Sequence, residues 1–269
     1  MKRTILAIAG VTGVVLAGTQ AADATDLVAV ADAYTQSSSP TSNFGHSGIV
    51  DGGGFATAVD CADATNVRIT HSHVAAYSTT GSATGIFCVE TSAPLSLLVE
   101  DSTVENGILY EARGSSAPWP AITLHGGSVE GGIALNIDTG LHSARAIQVL
   151  GTHLNGSIFQ SGTNRLADLT LDGVFVRGIN VMALSTATIA RSRSDNTITL
   201  RGATTSARVT IENSWLPRLS LTNITANVSL GEIESGVQIS GQSGARCTRV
   251  RTLFGFLPAD CGATPPPQD

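Results

Sequence analysis

The chain repeats itself about every 22 residues, which restricts it to a small group of architectures. A short apolar pair of the form Φ-x-Φ, usually entered through Gly, Asn or Ser, returns from Val59 to Ile239. Its copies are Val59-Asp60-Cys61, Ile86-Phe87-Cys88, Ile108-Leu109-Tyr110, Ile133-Ala134-Leu135 and Ser157-Ile158-Phe159. Ile179-Asn180-Val181, Ile198-Thr199-Leu200, Leu219-Ser220-Leu221 and Val237-Gln238-Ile239 complete the series. A fixed period in the twenties marks a solenoid, in which no unit can bury its own apolar face and successive units must stack.

Each period holds more than one such element. A second Φ-x-Φ series runs through Val67-Arg68-Ile69, Leu97-Leu98-Val99, Ile122-Thr123-Leu124, Ile147-Gln148-Val149 and Leu169-Thr170-Leu171, and continues to Val228-Ser229-Leu230. A few residues after these come lone apolar positions at Val74, Val104, Val129, Leu154, Val176 and Leu216. Strict alternation sends one residue inward and its neighbour outward, so these are strands rather than helices. Three short strands per period, joined by tight corners and one variable loop, describe a triangular coil. Asn106-Gly107, Gly131-Gly132, Asp172-Gly173 and Arg177-Gly178 provide the left-handed conformations that such corners need.

Segments such as Asn66-Val67-Arg68-Ile69-Thr70-His71-Ser72-His73-Val74 and Val209-Thr210-Ile211-Glu212-Asn213-Ser214-Trp215-Leu216 resemble repeats of the right-handed parallel β-helix, pectin-lyase-like superfamily. The resemblance implies an all-β, single-stranded right-handed parallel β-helix of about nine coils, each about 22 residues long. It says little about activity, because one fold hosts many unrelated chemistries. By analogy with that superfamily, the first Φ-x-Φ series forms the sheet on which its enzymes keep their sites, and the second series forms the neighbouring sheet.

The expected division is a signal peptide over 1–24, an N-terminal cap over 25–54, the β-helix over 55–245, a disulfide-stapled cap over 246–263 and a disordered tail over 264–269. Lys2 and Arg3, the apolar run from Ile5 to Ala17 and Ala22-Asp23-Ala24 read as a secretory leader. The run is too short, and too interrupted by Gly10 and Gly13, for a membrane span, so no membrane insertion is expected once the leader is gone. Cleavage removes two of the 15 basic and one of the 21 acidic residues, leaving a net charge of −7 and no lysine. That balance argues against nucleic acid, anionic lipid or a polyanionic polymer held by broad electrostatics. Secretion also suits the four cysteines. Cys61 and Cys88 hold the same inward place on successive coils, and Cys247 and Cys261 bracket a loop beyond the last coil. Both pairs are expected as disulfides, the second more firmly.

The chemistry expected of the family is largely missing. There is no Asp-Asp pair, and the outward column of the first sheet reads Asp60, Phe87, Leu109, Ala134, Ile158, Asn180, Thr199, Ser220, Gln238. One carboxylate in that column cannot assemble a calcium-dependent lyase site. The corner leading into this sheet is more polar, with Glu105, Glu130, Asn155, Arg177, Asp195, Arg218 and Glu234. Glu105 and Glu130 fall one coil apart with no arginine or histidine in their column. They are the candidate catalytic pair, or calcium ligands; the competing reading is two glutamates splayed into water. On the opposite corner His71, Glu100, Asp101 and His125 follow second-sheet strands on three successive coils, the nearest approach to a metal site, against a default of solvated histidines. Asn180, Thr199, Ser220 and Gln238 form a flat polar strip suited to glycan hydroxyls, with Phe87, Tyr110 or Trp119 as candidate stacking partners. The expectation is therefore a secreted, cofactor-free module whose partner is a polysaccharide or cell-surface glycan, with a polysaccharide lyase or glycoside hydrolase as the alternative.

Overall fold

The computed structural model describes residues 26–29, 33–35, 56–60, 66–71, 73–76, 83–90, 96–112, 121–137, 146–161, 166–204, 207–241 and 243–261. The segments read from sequence as a leader (1–24) and a tail (264–269), together with Cys61 and Trp119, lie outside the described residues. Every regular element among the described residues is a strand, and the pairings are parallel except for one C-terminal hairpin. The fold is a parallel β-solenoid, as the period requires.

Three ladders run along the axis. The first sheet stacks Ala56–Asp60, Ala83–Glu90, Ile108–Ala112 and Ile133–Ile137. It continues through residues 157–161 and 178–181, then Ile198–Gly202, Leu219–Thr222 and Val237–Ser240. The second sheet begins with Asp26–Ala29 on Asn66–Thr70 and ends with Gly244–Thr248 on Ile224–Ser229. The third is narrow, often two residues per coil, and runs from Ala33–Thr35 on His73–Ala76 to Arg251 beside Glu232. The two strands described within residues 25–54 are thus in-register rungs of the same solenoid, so stacking starts ahead of residue 55.

The interior is made of columns of like residues. Val59, Ile86, Ile108, Ile133, Ile158, Ile179, Ile198 and Leu219 form one on the first sheet, all fully buried. Val74, Val104, Val129, Leu154, Val176 and Leu216 form the third-sheet column, as alternation dictates. Each such side chain contributes on the order of 1.5–3 kcal/mol when removed from water. The sequence reading places Ile158 on the outward face, and here the structure differs. Ile158 pairs with Ile133 and Ile179, Gln160 points inward, and Phe159 turns out to solvent at 44% exposure. The corner sets this frame. A Cβ on Gly132 would stand 2.3 Å from the Ser157 carbonyl oxygen, so the backbones meet there and fix which residue begins the next strand. Local hydrophobicity alone favours a pairing of Ser157 with Phe159; stacking overrides it.

The corner after the second sheet is occupied at each coil by a residue in the left-handed region: His71, Asp101, Gly126, Gly151, Gly173, Arg191, Asn213 and Leu230. Each donates its amide to the carbonyl one residue back on the next coil, as in His71 N to Glu100 O at 3.0 Å and Asp101 N to His125 O at 2.8 Å. The following position is inward and carries a small hydroxyl on several coils: Ser102, Thr152, Ser192 and Ser214 are all buried. Ser192 Oγ donates to Ala190 O (2.7 Å) and accepts from Val174 N (3.2 Å). Ser214 Oγ donates to Glu212 O (2.8 Å) and accepts from Ser192 N (3.2 Å). These hydroxyls serve backbone groups that the strand ladders leave over at the bend. Beyond the last coil Cys247 and Cys261 are joined by a disulfide, and no described cysteine is free. Cys88 is buried and disulfide-bonded.

Candidate functional site

The first sheet presents its outward residues as a straight column, because successive rungs are parallel and in register. Phe159 pairs with Asn180, Asn180 with Thr199, Thr199 with Ser220 and Ser220 with Gln238. Phe159 and Gln238 are exposed, and the three residues between them are partly so. The rungs repeat at the ~4.8 Å strand spacing, which gives a row of an aromatic ring, an amide, two hydroxyls and a second amide. Beside it Arg201, Thr222 and Ser240 form a second column, with the Thr222 and Ser240 hydroxyls 2.7 Å apart. Each amide both donates and accepts, and each hydroxyl does the same, so the row can match hydroxyl-rich ligands without charge. The rest of the first column is different in character: Asp60 stands at its N-terminal end, followed by Phe87, Leu109 and Ala134.

The aromatic partner differs from those expected. Phe87 is 5% exposed, Tyr110 is fully buried in the core, and Trp119 lies outside the described residues. Phe159, read from sequence as inward, is the ring next to the polar row. The signal that finds it is the glycine-ruled corner before Ser157 rather than the hydrophobicity of the strand itself.

Glu105 and Glu130 do follow Val104 and Val129, which pair across adjacent coils. Their carboxylates, however, are drawn in opposite directions along the axis. Glu105 Oε1 lies 2.7 Å from His73 Nε2 on the preceding coil, whereas Glu130 Oε2 accepts from Asn155 Nδ2 on the following one. Like charges one rung apart each take the neutralising or donating neighbour that lies away from the other. His73 reaches Glu105 from outside their column: it stands on the third sheet in register with Thr103, two residues before Glu105. His73 and Glu105 are each about a third exposed, where such a contact is screened and worth little. Asp195 lies 3.6 Å from Arg193 of its own coil.

At the opposite corner the four metal-ligand candidates separate into two columns. His71 and Asp101 share the left-handed position, with His71 Nε2 and Asp101 Oδ2 3.8 Å apart. His125 pairs in register with Glu100, one column over, with Nδ1 and Oε1 at 3.5 Å. The Arg68 guanidinium lies 3.6 Å from the same Glu100 carboxylate. No group of three ligating side chains converges among the described residues. A few coils on, Arg191 donates Nε to Asp172 Oδ1 at 2.9 Å and a terminal nitrogen to Asp172 Oδ2, and this bonding raises the guanidinium above its ordinary value.

Sequence reasoning misses one array. On the third sheet the residue before each lone apolar position is outward, and from His153 these positions carry planar groups. His153 stacks on Phe175 with centroids 4.6 Å apart, Phe175 pairs in register with Arg193, and the Arg193 guanidinium lies 4.5 Å from the Trp215 ring centre. These groups pack on one another from coil to coil, which stabilises the stack.

The chain matches no protein-family model, no curated protein and no solved structure.

Proposed function

We propose that this is a secreted β-solenoid that binds a polysaccharide or cell-surface glycan along its first sheet and does not transform it. The observation that carries the reading is the register that lines up Phe159, Asn180, Thr199, Ser220 and Gln238 in one outward column. Linear glycans offer the matching chemistry: hydroxyls repeating along a chain for the amides and hydroxyls, and an apolar ring face for the phenyl group. The absence of formal charge in the row from Phe159 to Gln238 favours a neutral polymer over a uronate-rich one. The leader and the disulfide-bonded cysteines support export, and the coil architecture supports kinship with the right-handed pectin-lyase-like superfamily.

The alternative is a polysaccharide lyase or glycoside hydrolase acting at Glu105 and Glu130. It is the weaker reading because the two carboxylates engage opposite neighbours rather than one shared space. A glycan array probed with the mature protein, followed by calorimetry on the best binder, tests the proposal. Thr199→Ala and Ser220→Ala together should weaken binding at least about tenfold, the loss of two hydrogen bonds. Product formation from that glycan, abolished by Glu105→Gln, would instead establish the enzyme.

A further inference from the structure

The chain ends its solenoid in a rigid hairpin with an apolar tip. Arg251–Thr252 pair antiparallel with Gly255–Phe256, and Leu253 and Phe254 form the turn. Thr252 Oγ1 accepts from Phe254 N (3.1 Å) and donates to Gly255 O (3.0 Å). The foot is fastened by Leu257 N to Val250 O, by Cys247 N to Ala259 O and by the Cys247–Cys261 disulfide. What this well-held turn displays is apolar: Leu253 is 68% exposed, Phe254 97% and Phe256 65%. A contiguous exposed apolar group on a secreted protein marks an interaction site, and its rigidity lowers the ordering cost of using it.

The charge around the tip identifies the partner. The whole chain is acidic at −6, yet Ser235 to Ala259 contains no Asp or Glu and holds Arg246, Arg249 and Arg251, all exposed. Arg251 lies 5.3 Å from the centre of the Phe256 ring, so cation and ring form one unit. The nearest carboxylates in the chain are Glu234, one residue before this stretch, Glu232, in register with Arg251, and Asp260 at the hairpin foot. We propose that this tip docks the protein on a lipid bilayer containing anionic phospholipid, with Leu253, Phe254 and Phe256 entering the interface and the arginines meeting phosphates. Three protruding side chains are far short of the ~800 Å² per partner of a stable protein interface, whereas a bilayer asks for no shape complement. Aromatic rings favour the membrane–water interface, and cations near an anionic leaflet add to the attraction. Arg246, Arg249 and Arg251 lie close to the apolar tip, so this local grouping, rather than the acidic net charge of the chain, would meet the bilayer. The proposal is independent of the glycan reading.

The test is co-sedimentation of the mature, oxidised protein with phosphatidylcholine vesicles with and without phosphatidylglycerol, alongside sedimentation velocity without lipid. The protein should partition onto the anionic vesicles, less so at high salt, and Phe254→Ser should lower the partition coefficient about tenfold. Phe254→Ser should leave the unfolding midpoint unchanged, since that ring is almost wholly in water, and Arg246→Gln with Arg249→Gln should erase the preference for phosphatidylglycerol. No partitioning, or equal partitioning of wild type and Phe254→Ser, overturns the proposal. So does a dimer in lipid-free solution that Phe254→Ser dissolves, because a second copy would then be the tip's partner.

Discussion

Ser214→Ala is the sharpest probe of how the corners hold this solenoid together. The Ser214 side chain is buried, and its hydroxyl makes bonds that an alanine cannot: it donates to Glu212 O at 2.8 Å, with a longer approach to Ile189 O at 3.4 Å, and accepts from the Ser192 amide at 3.2 Å. Alanine fills nearly the same space, so a cavity contributes little. The dominant cost is the Ser192 N–H, left buried with its acceptor removed, at about 1–3 kcal/mol, with a smaller part from the Glu212 carbonyl. The expected loss is therefore about 2 kcal/mol in urea unfolding followed by far-UV dichroism. Ser220→Ala, on the outward face of the first sheet, is the control and should stay within about 0.5 kcal/mol. A loss below about 0.5 kcal/mol for Ser214→Ala would refute the claim that these hydroxyls carry the corner, and would mean the bend relaxes to satisfy its own amides.

Other outcomes follow from the same geometry. Gly127→Ala should cost more than about 2 kcal/mol, since the new Cβ would stand 2.0 Å from the Ser102 carbonyl oxygen at a φ of +65°, and a thermal melt reads this directly. Cys247→Ser should lower stability by about 3 kcal/mol by freeing the loop to Cys261, with peptide mapping of the wild type under non-reducing conditions showing the bridge. Glu105→Gln and His73→Gln should each change stability by no more than about 1 kcal/mol, as befits a pair one-third exposed. Calcium titration of the wild type and of Glu105→Gln should give the same featureless isotherm; a micromolar event lost on mutation would restore these residues as a site.

Much of the fold is legible because alternation and period constrain each other. Val74, Val104, Val129, Leu154, Val176 and Leu216 can be named as core from spacing alone, and the structure buries all six. The reading slips where those constraints loosen. At Ser157-Ile158-Phe159-Gln160 the strand offers two apolar frames, and the backbone contact at Gly132 chooses between them, a three-dimensional fact with no local signature. Ser194 escapes notice as a core position because it is polar, and its burial depends on carbonyls of Arg177 and Asn196 that fold around it. The His73–Glu105 contact is invisible for a related reason: it joins residues 32 apart that meet only through the third-sheet register. The polar row from Asn180 to Gln238 is the part of the candidate site that can be read in advance, since it requires no more than equal phase in four successive strands.

The measurement that bears most directly on the central claim is calorimetric titration of the mature protein with the neutral glycan that an array selects. The wild type should show saturable binding with no product released. Phe159→Ala and the pair Thr199→Ala with Ser220→Ala should each weaken it at least about tenfold, with the fold intact by dichroism. Undiminished binding in both variants would place the ligand elsewhere and contradict the assignment of the first sheet as its site.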